Sequence, residues 1–411
     1  MTRVVITGVG MINAVGHSAE EAFNAIINGE SGVNEITLFD ASNQKVRIAA
    51  EVKNFNPESV MNKKEIKKAD RFIQLGLHAA KEAIKDSNLL EEVKDSFGIS
   101  AASGIGGLPQ IEKNSIVCES RGPTKVSPFF IPSALANMLG GFVSIEHGLK
   151  GPNLASVTAC TAGLHAIIEA TKTIMLGDAP GMVVVGGEST ITAVGVAGFA
   201  SMKALSTRNE EPQIASRPFD KDRDGFILGE GAGSLVLEEL SHALKRGAKI
   251  YGEVIGYGES SDAYHITMPA PEGDGAYRAM KAAMSKANFP KIDYINAHGT
   301  STYYNDLYET MAIKKLFQDE SYIPPVSSTK GQTGHCLGAA GVIEAIVALK
   351  AMEKSTIPPT INHDGVDEAC SLDYVPNKSR EKILNTVMSC NYGFGGTNGS
   401  IIFQKYNKNN D

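Results

Sequence analysis

Hydrophobic positions follow two different periods along the whole chain. Short apolar runs predict buried strands, and the longer segments between them repeat apolar residues every three or four positions, which predicts helices. The clearest strands are 4–9, 98–102 and 182–186, and the clearest helices are 19–28, 72–86 and 164–176. Strands that alternate with helices predict an α/β fold in which most strands are buried.

Three echoes within the sequence suggest two similar halves. Residues 3–10 resemble 249–258, and each segment opens a new series of strands and helices. The other echoes pair the helix after Ala162-Gly163 with the helix after Ala340-Gly341, and the closing strand 233–237 with 399–403. Because the echoes keep the same order, we predict a duplicated fold with halves at 1–248 and 249–411. Ligand sites are often found between such halves.

A turn of small residues at 157–163 carries Cys160 directly before a predicted helix. The N-terminus of a helix offers unpaired backbone N–H groups and the positive end of the helix dipole, which favour a thiolate. Small neighbouring side chains leave room for a substrate to approach the sulfur. From this stretch alone, a small buried cysteine without chemistry is the alternative.

Basic side chains lie on turns of the second half. His298 follows a predicted strand, and Lys330 and His335 precede the helix that echoes the one after Cys160. The duplication therefore predicts that His335 and Cys160 lie close together. Glu344 lies about one turn into the same helix, where it is either a partner of Lys330 or an ordinary helix-facing carboxylate.

The set as a whole favours acyl-transfer chemistry. A cysteine supplies a nucleophile for acyl groups, and neutral histidines donate hydrogen bonds to a developing enolate or oxyanion. The glycine-rich segment 391–399 either offers N–H groups to an oxyanion or forms a plain hairpin. His298 and His335 do not have the spacing of metal ligands on a helix, so we expect no metal.

Composition restricts the classes of protein that fit the chain. Its 411 residues are 42% hydrophobic and 21% charged, as in a soluble globular protein, and a net charge of −7 argues against nucleic-acid binding. No apolar run is long enough to span a membrane, and the N-terminus leads directly into a strand rather than a signal peptide. Five scattered cysteines without a Cys-x-x-Cys pair favour a reducing cytoplasm.

These motifs resemble one family. The sequence is similar over essentially its full length to the β-ketoacyl-[acyl-carrier-protein] synthases of the long-chain elongating type (synthase II), which are thiolase-like condensing enzymes. The segments that carry the resemblance are 4–8, 103–107, 127–130, 157–160, 204–208, 217–220, 224–226, 296–302, 328–330, 333–335 and 393–399.

The resemblance implies a fold and an activity. The fold is a five-layered αβαβα duplication, usually in a homodimer. The activity is a decarboxylative Claisen condensation in fatty acid elongation, in which an acyl and a malonyl group on acyl carrier protein give 3-oxoacyl-carrier and CO2. No metal or organic cofactor is implied, because the thioester and the decarboxylation activate the reactants.

The resemblance also assigns roles to the reactive residues. Cys160 accepts the acyl chain as a thioester, and His298 and His335 promote malonyl decarboxylation and stabilise the enolate. Lys330 supports His335 and the local electrostatics, and Glu344 holds Lys330.

Residues around the reacting atoms match further positions of the family. The backbone N–H of Phe394 joins that of the nucleophile in an oxyanion hole, and its side chain resembles a gate that admits the extender. Thr300 and Thr302 match contacts to the pantetheine arm, while Ile105 and Phe199 match the lining of the acyl pocket.

An acidic carrier protein needs a local basic patch on an acidic enzyme. We expect a docking surface in which the first four residues share one helical face, although a solvated lysine surface is the alternative. The residues are Lys64, Lys67, Lys68 and Arg71, joined by Arg121, Lys125 and Lys203.

The sequence departs from the family pattern in two loops, and rival functions remain. Tyr303-Tyr304 stands where the family usually has proline, and Gly331-Gln332 stands where serine-methionine is frequent. Neither change removes a reacting group. The rivals are a polyketide ketosynthase, a cysteine hydrolase and a non-catalytic acyl-binding partner subunit; the retained cysteine, histidines and lysine argue against the last two.

Overall fold

The computed structural model describes residues 2–89 and 91–407. The predicted halves also include Met1, Leu90 and residues 408–411, which lie outside the described residues. The strands are β1 (Val4–Ile12), β2 (Val33–Glu35), β3 (Ile48–Ala50), β4 (Gly98–Ala102), β5 (Asn153–Ser156), β6 (Gly181–Glu188), β7 (Gly231–Glu239), β8 (Gly252–Ser261), β9 (Tyr294–Asn296), β10 (Val326–Ser327), β11 (Thr356–Ile357), β12 (Arg380–Glu381), β13 (Thr386–Gly393) and β14 (Thr397–Gln404).

The helices connect these strands throughout the chain. They are α1 (Ala19–Ile27), α2 (Lys63–Ile66), α3 (Arg71–Asp86), α4 (Leu108–Arg121), α5 (Phe130–Ala134), α6 (Met138–His147), α7 (Ala162–Leu176), α8 (Ala193–Ser201), α9 (Leu240–Lys245), α10 (Asp274–Lys286), α11 (Tyr303–Leu316), α12 (Lys330–Thr333) and α13 (Ala340–Lys354).

Helix ends follow from local sequence. Asp70 caps α3 by accepting a hydrogen bond from the backbone N–H of Phe72, and Ser18 caps α1 in the same way through Glu21. Gly177 ends α7 in the left-handed conformation, which glycine adopts without a steric cost. The observed ends of α1, α3 and α7 lie within two residues of the predicted ends.

The large sheet has a repeated strand order. Its order is β10-β9-β13-β14-β8-β1-β7-β6-β4-β5, with β1 and β8 paired antiparallel at the centre. Outward from that pair, both sides have an antiparallel neighbour (β7 or β14), a second antiparallel step (β6 or β13), and then two parallel steps. The duplication predicted from the three echoes is confirmed by this order.

Five layers result from the way the helices pack. Helix α7 contacts β6 of the first half and β14 of the second, while α13 contacts β7 and β13, so both helices lie between the two halves of the sheet. Helices α3 and α6 cover the outer face of the first half, and α10 and α11 pack together on the outer face of the second. This arrangement is the predicted thiolase-like αβαβα fold.

The central layer is apolar on every side. All residues of α13 from Ala340 to Met352 are buried, and they include only two charged side chains, Glu344 and Lys350. A helix that is hydrophobic around its whole circumference is typical of burial between two layers. Charge inside this layer therefore requires a partner or a function.

The two central helices approach each other at a pair of glycines. A Cβ at Gly341 would lie 2.3 Å from the backbone nitrogen of Leu164, and a Cβ at Gly163 would lie 2.8 Å from that of Val342. Both distances are too short for a Cβ and a backbone nitrogen that are not bonded, so a side chain at either position would force the helices apart. The glycines therefore set how closely the N-terminal ends of α7 and α13 can pack.

We expect Gly341→Ala to lower the free energy of unfolding by about 1–3 kcal/mol, the usual cost of overpacking a close contact. Urea unfolding followed by circular dichroism measures the change. The matched control is Gly198→Ala in α8, where a Cβ meets nothing within 4 Å. That control should gain up to about 1 kcal/mol from helix propensity. Equal effects of the two substitutions would contradict the steric role of Gly341.

Candidate active site

Cys160 lies on a strained turn between β5 and α7. The turn is a single 3₁₀ segment, Ala159–Thr161, and α7 begins at the next residue. Ala159 has a φ of 51°, a left-handed conformation that costs a residue with a Cβ about 1 kcal/mol. The surrounding structure holds this strained turn at the N-terminal end of the buried helix.

The second half repeats the turn without its cysteine. Leu337 has a φ of 42° and opens a 3₁₀ turn that leads directly into α13. Gly338 occupies the place that Cys160 holds in the first half, and its N–H donates to the buried carboxylate of Glu188. Glu188 also accepts from the N–H of Gly104, which ties the loop after β4 to this turn.

A cavity of ≈ 380 Å³ lies between the two halves. Cys160 reaches it from the first half, while His298, His335 and Phe394 reach it from the second. The predicted pantetheine contacts Thr300 and Thr302 and the predicted pocket residue Phe199 also line it. The structure therefore brings together residues that are far apart in sequence.

Both histidines are buried beside each other. The rings of His298 and His335 are 5.3 Å apart and nearly perpendicular. Burial, together with the positive charge of Lys330, lowers the pKa of each imidazole well below its usual value. At neutral pH both rings are uncharged, so each can donate one hydrogen bond and accept another.

Lys330 lies behind His298 and forms a buried ion pair. Its ammonium group donates to the carbonyl oxygen of His298 at 2.5 Å and to the carboxylate of Glu344. Its Nζ is also 3.5 Å from Nδ1 of the His298 ring. The ammonium group of Lys330 points at His298, and its positive charge also lowers the pKa of His335.

The protonation state of Cys160 differs from the expectation. Burial raises the pKa of Cys160 to about 12, and the charge of Lys330 offsets only part of this effect. The thiolate predicted from the helix N-terminus is therefore wrong for the free protein, because the cost of burying an anion exceeds the stabilisation. Cys160 rests as a thiol and must lose its proton during reaction.

The loop that carries Phe394 is fastened to the turn that carries Cys160. Phe394 opens the tight turn between β13 and β14. The hydroxyl of Thr161 donates to the carbonyl of Thr397 at 3.0 Å, and the hydroxyl of Thr397 donates to the carbonyl of Thr158 at 3.2 Å. These bonds hold the two backbone segments side by side at the cavity.

The predicted pocket residues divide into two groups. Phe199 lines the cavity and packs edge-on against Phe226, whose ring in turn meets His335 at 5.2 Å. Ile105 is 39% exposed and is not among the residues that line this cavity, so the chain by itself does not bring it to the site. Thr300 and Thr302 hydrogen bond to each other at 2.9 Å.

Two models of known protein families match the chain, one in its N-terminal part and one in its C-terminal part. Residues 1–243 match the family model described as "Beta-ketoacyl synthase, N-terminal domain", and residues 251–364 match "Beta-ketoacyl synthase, C-terminal domain". The chain belongs to the β-ketoacyl synthase family.

Relatives of this synthase share its full length. A protein of Coxiella burnetii (strain RSA 493 / Nine Mile phase I) named 3-oxoacyl-[acyl-carrier-protein] synthase 2 is 50% identical, with 98% of each chain covered. Proteins of the same name from Vibrio harveyi and from Synechocystis sp. (strain ATCC 27184 / PCC 6803 / Kazusa) are 48% and 46% identical, again over 98% of both chains.

Solved structures show the same architecture. A β-ketoacyl synthase from Burkholderia phymatum STM815 superposes with a TM-score of 0.92 at 34% identity, covering 99% of this chain and all of the other. The ketosynthase of a type II polyketide synthase, solved in complex with its acyl-carrier protein, superposes with a TM-score of 0.91 at 30% identity and the same coverage.

The predicted docking residues of this synthase do not share one helical face. Helix α2 ends at Ile66 and α3 begins at Arg71, because Asp70 caps a new helix between them. The prediction of one face is therefore wrong. Arg71 also does not belong to a free basic patch, since its guanidinium pairs with the buried carboxylate of Glu230 at 2.6 Å.

The remaining predicted docking residues lie near the surface. Lys64 and Lys67 are exposed, and the Nζ of Lys68 is 5.7 Å from the centre of the Phe129 ring. The other exposed basic residues of the set are Arg121, Lys125 and Lys203, and Lys203 lies at the rim of the cavity. These basic residues belong to separate segments of the chain.

Glu309 supports the site although the sequence analysis did not identify it. This residue of α11 accepts the backbone N–H groups of His298 and Gly299, each at 2.8 Å, and burial raises its pKa to about 8. Asp306, one turn earlier, accepts the N–H of Phe219 at 2.8 Å. The sequence did offer a sign of this role, because Asp306 and Glu309 stand three residues apart and therefore share the buried side of α11.

The described residues contain neither a membrane-spanning helix nor a metal-binding cluster. Among the described helices, none is long and apolar enough to cross a bilayer. The described residues contain no group of three or more histidine, cysteine, aspartate or glutamate side chains arranged to hold a metal ion.

Proposed function

We propose that this synthase catalyses the decarboxylative Claisen condensation of acyl-[acyl-carrier-protein] with malonyl-[acyl-carrier-protein] in fatty acid chain elongation. The products are 3-oxoacyl-[acyl-carrier-protein], two carbons longer, and CO2. The observation that carries the proposal is a cysteine that shares one cavity with two neutral histidines. Relatives at 46–50% identity that bear the name 3-oxoacyl-[acyl-carrier-protein] synthase 2 support it.

The first half-reaction is transfer of the acyl chain. The sulfur of Cys160 attacks the carbonyl carbon of the acyl thioester, and its proton passes to a neutral histidine of the same cavity. The new S–C bond forms as the bond to the carrier thiol breaks, and the leaving thiolate regains a proton. The backbone N–H groups of Cys160 and Phe394 stabilise the tetrahedral oxyanion.

The second half-reaction joins two carbons. The malonyl thioester loses CO2, and the electrons of the broken C–C bond become an enolate whose oxygen accepts hydrogen bonds from His298 and His335. The enolate carbon attacks the acyl group on Cys160. A C–C bond forms, the S–C bond to Cys160 breaks, and the cysteine thiolate takes up a proton from solvent.

Other residues prepare the cavity for these steps. Burial, together with the charge of Lys330, keeps His298 neutral. Lys330 is held by Glu344 and fixes the His298 backbone through the carbonyl contact. Thr300 and Thr302 bind the pantetheine arm, and Phe394 moves to admit the malonyl group. Phe199 lines the acyl pocket.

The fatty acid reaction is favoured over its rivals by comparison. The type II polyketide ketosynthase is 30% identical to this chain, whereas the 3-oxoacyl-[acyl-carrier-protein] synthases are 46–50% identical.

The cytoplasm is the proposed location, since all five cysteines are free thiols, as is usual in a reducing compartment. We divide the chain near residue 249, between α9 and β8.

Mixing the protein with a medium-chain acyl-carrier thioester should add one acyl group, detected by intact mass. Malonyl-carrier should then discharge the adduct as a 3-oxoacyl product. Cys160→Ala should abolish the adduct, because the nucleophile is lost, and Cys118→Ala should preserve it, because Cys118 is an exposed thiol on α4. An adduct that drains to free acid without malonyl-carrier would indicate a hydrolase, and no adduct at all would indicate a binding partner.

In this proposal the carrier protein docks on basic residues at the surface, of which Lys203 lies at the rim of the cavity. Lys203 at the rim of the cavity supports it, as do Lys64, Lys67 and Lys68, and the carrier's acidic surface supplies the complementary charge. Arg121 and Lys125 extend the same surface near Phe129. Arg71 is left out because its charge is already paired.

Replacing both Lys64 and Lys68 by glutamate should raise the apparent KM for acyl-carrier about 10-fold or more, since two attractive charges become repulsive. The value of kcat should change less than about 2-fold. Steady-state kinetics at low and high salt measures both, and the KM effect should shrink with salt. The control reverses two exposed lysines outside the proposed surface, Lys245 and Lys281. An unchanged KM would show that the lysines are only solvated surface.

We further propose that two copies pair through β5. This strand ends the sheet order, so one side of its backbone has no neighbouring strand in the described chain. Leu154 in the strand is 44% exposed, and Val157 just after it is 54% exposed. An exposed edge strand with apolar side chains favours pairing with another chain.

The mass in solution should be about twice the 43.6 kDa of one chain. Leu154→Arg should shift it towards one chain, because the charge would be buried at the strand pair. Leu176→Arg, at an exposed leucine at the end of α7, is the control and should leave the mass unchanged. Light scattering after size exclusion gives these masses. A wild-type mass of one chain would contradict the homodimer.

A further inference from the structure

Asn391 lies behind His298 on the side away from the cavity. It belongs to β13, its side chain is fully buried, and it is absent from the residues that line the cavity. Its Nδ2 donates to Oε2 of Glu344 at 2.7 Å and is 3.3 Å from Nδ1 of His298. One amino group therefore contacts both the buried carboxylate and the imidazole.

The chemistry of these partners fixes the direction of the amide. An ionised carboxylate only accepts hydrogen bonds, so Asn391 must turn its amino group rather than its oxygen towards Glu344. The remaining hydrogen of that amino group is the one available to Nδ1 of His298. The position of the Asn391 oxygen agrees, because it has no hydrogen-bond partner and faces the space above Gly341.

Two donors consequently face the same ring nitrogen. The ammonium group of Lys330 has no lone pair, and its Nζ is 3.5 Å from Nδ1. With Lys330 on one side and Asn391 on the other, Nδ1 can act only as an acceptor. A neutral imidazole carries one hydrogen, so that hydrogen is on Nε2.

We propose that Asn391 is a positioning residue that, with Lys330, holds His298 in the Nε2–H tautomer and directs that N–H into the cavity. The inference rests on the proposed function, in which His298 donates to the enolate oxygen during malonyl decarboxylation. In the opposite tautomer, His298 would present a lone pair to the enolate and would repel it. Asn391 acts through His298 and does not touch the substrate.

The surroundings leave the ring no competing partner for Nδ1. The titratable or charged groups around His298 come from every packed element: Lys330 of α12, Glu344 of α13, His335, Tyr392 of β13 and Glu309 of α11. Glu309 binds the backbone of His298, while His335 and Tyr392 meet the ring edge-to-face at 5.3 Å and 5.6 Å. Nδ1 is thus set by Lys330 and Asn391 alone among the described contacts.

Asn391→Leu keeps the size of the side chain and removes its donor. We expect malonyl decarboxylation by the acyl-enzyme to fall about 10- to 100-fold at saturating malonyl-carrier, a fraction of what a positioned proton donor contributes. Acylation of Cys160 should stay within about 2-fold, since that step does not use the Nε2–H of His298. Single-turnover CO2 release and intact mass measure the two steps on the same preparation.

The tautomer itself is the second readout. Nitrogen NMR of protein with labelled histidine should show His298 with an unprotonated Nδ1 and a protonated Nε2 between pH 6 and 8, with His298→Gln identifying the signals. In Asn391→Leu the two tautomers should mix. The control is Ser389→Ala, two residues earlier on the same face of β13, where a buried hydroxyl has no hydrogen-bond partner. It should change neither rate nor spectrum.

The outcomes distinguish the inference from the function on which it rests. If wild type yields no 3-oxoacyl product, the proposed function fails. If wild type is active but Asn391→Leu decarboxylates within 2-fold of it, or loses both half-reactions equally, the positioning role is overturned. A protonated Nδ1 in wild type would overturn it as well. If Asn391→Leu does not fold, the same rates are measured for Asn391→Ser. The wild-type spectrum then still tests whether Nδ1 of His298 is unprotonated.

Discussion

The contact between Gly163 and Gly341 determines where the reactive groups stand. Each glycine lies in the first turn of a central helix, and each helix begins directly after a strained turn. One turn presents Cys160, and the other follows His335. Because the helices meet backbone to backbone, the separation of the two turns is fixed by main-chain atoms rather than by flexible side chains. The sheet halves and the outer helices then hold this central pair in place.

Around that contact, burial controls the charge states. The desolvation of the cavity keeps Cys160 protonated and both histidines neutral, and the single ammonium group of Lys330 is balanced by Glu344. A site of this kind contains donors and acceptors but little net charge before substrate enters. In the proposed reaction, the enolate that forms during decarboxylation meets dipoles that are already oriented, so little energy is spent on reorganisation when charge develops.

The sequence predicted the parts of this structure that depend on local pattern or on repetition. Strands, helices and the duplication followed from periodicity and from three echoes, and family motifs pointed to Cys160, His298 and His335, which the fold brings to one cavity. Two features were not predicted: one depends on a local cap that the periodic pattern concealed, and the other on a contact between distant segments. Asp70 divides the expected basic helix because a capping residue outweighs a periodic run of lysines. Lys330 points at His298 rather than at its sequence neighbour His335, and this direction depends on contacts with His298 and Glu344 that the order of residues does not reveal.

The protonated state of Cys160 also affects how the protein meets reactive small molecules. Peroxides and simple alkylating agents react with thiolates, so a cysteine whose pKa is about 12 is largely spared by them at neutral pH. The proposed nucleophile is thus protected from these reagents as long as its thiol keeps its proton. A more reactive electrophile would therefore improve a covalent inhibitor only slightly. A larger gain would come from a molecule that fills the cavity and carries a basic group able to take the proton from Cys160.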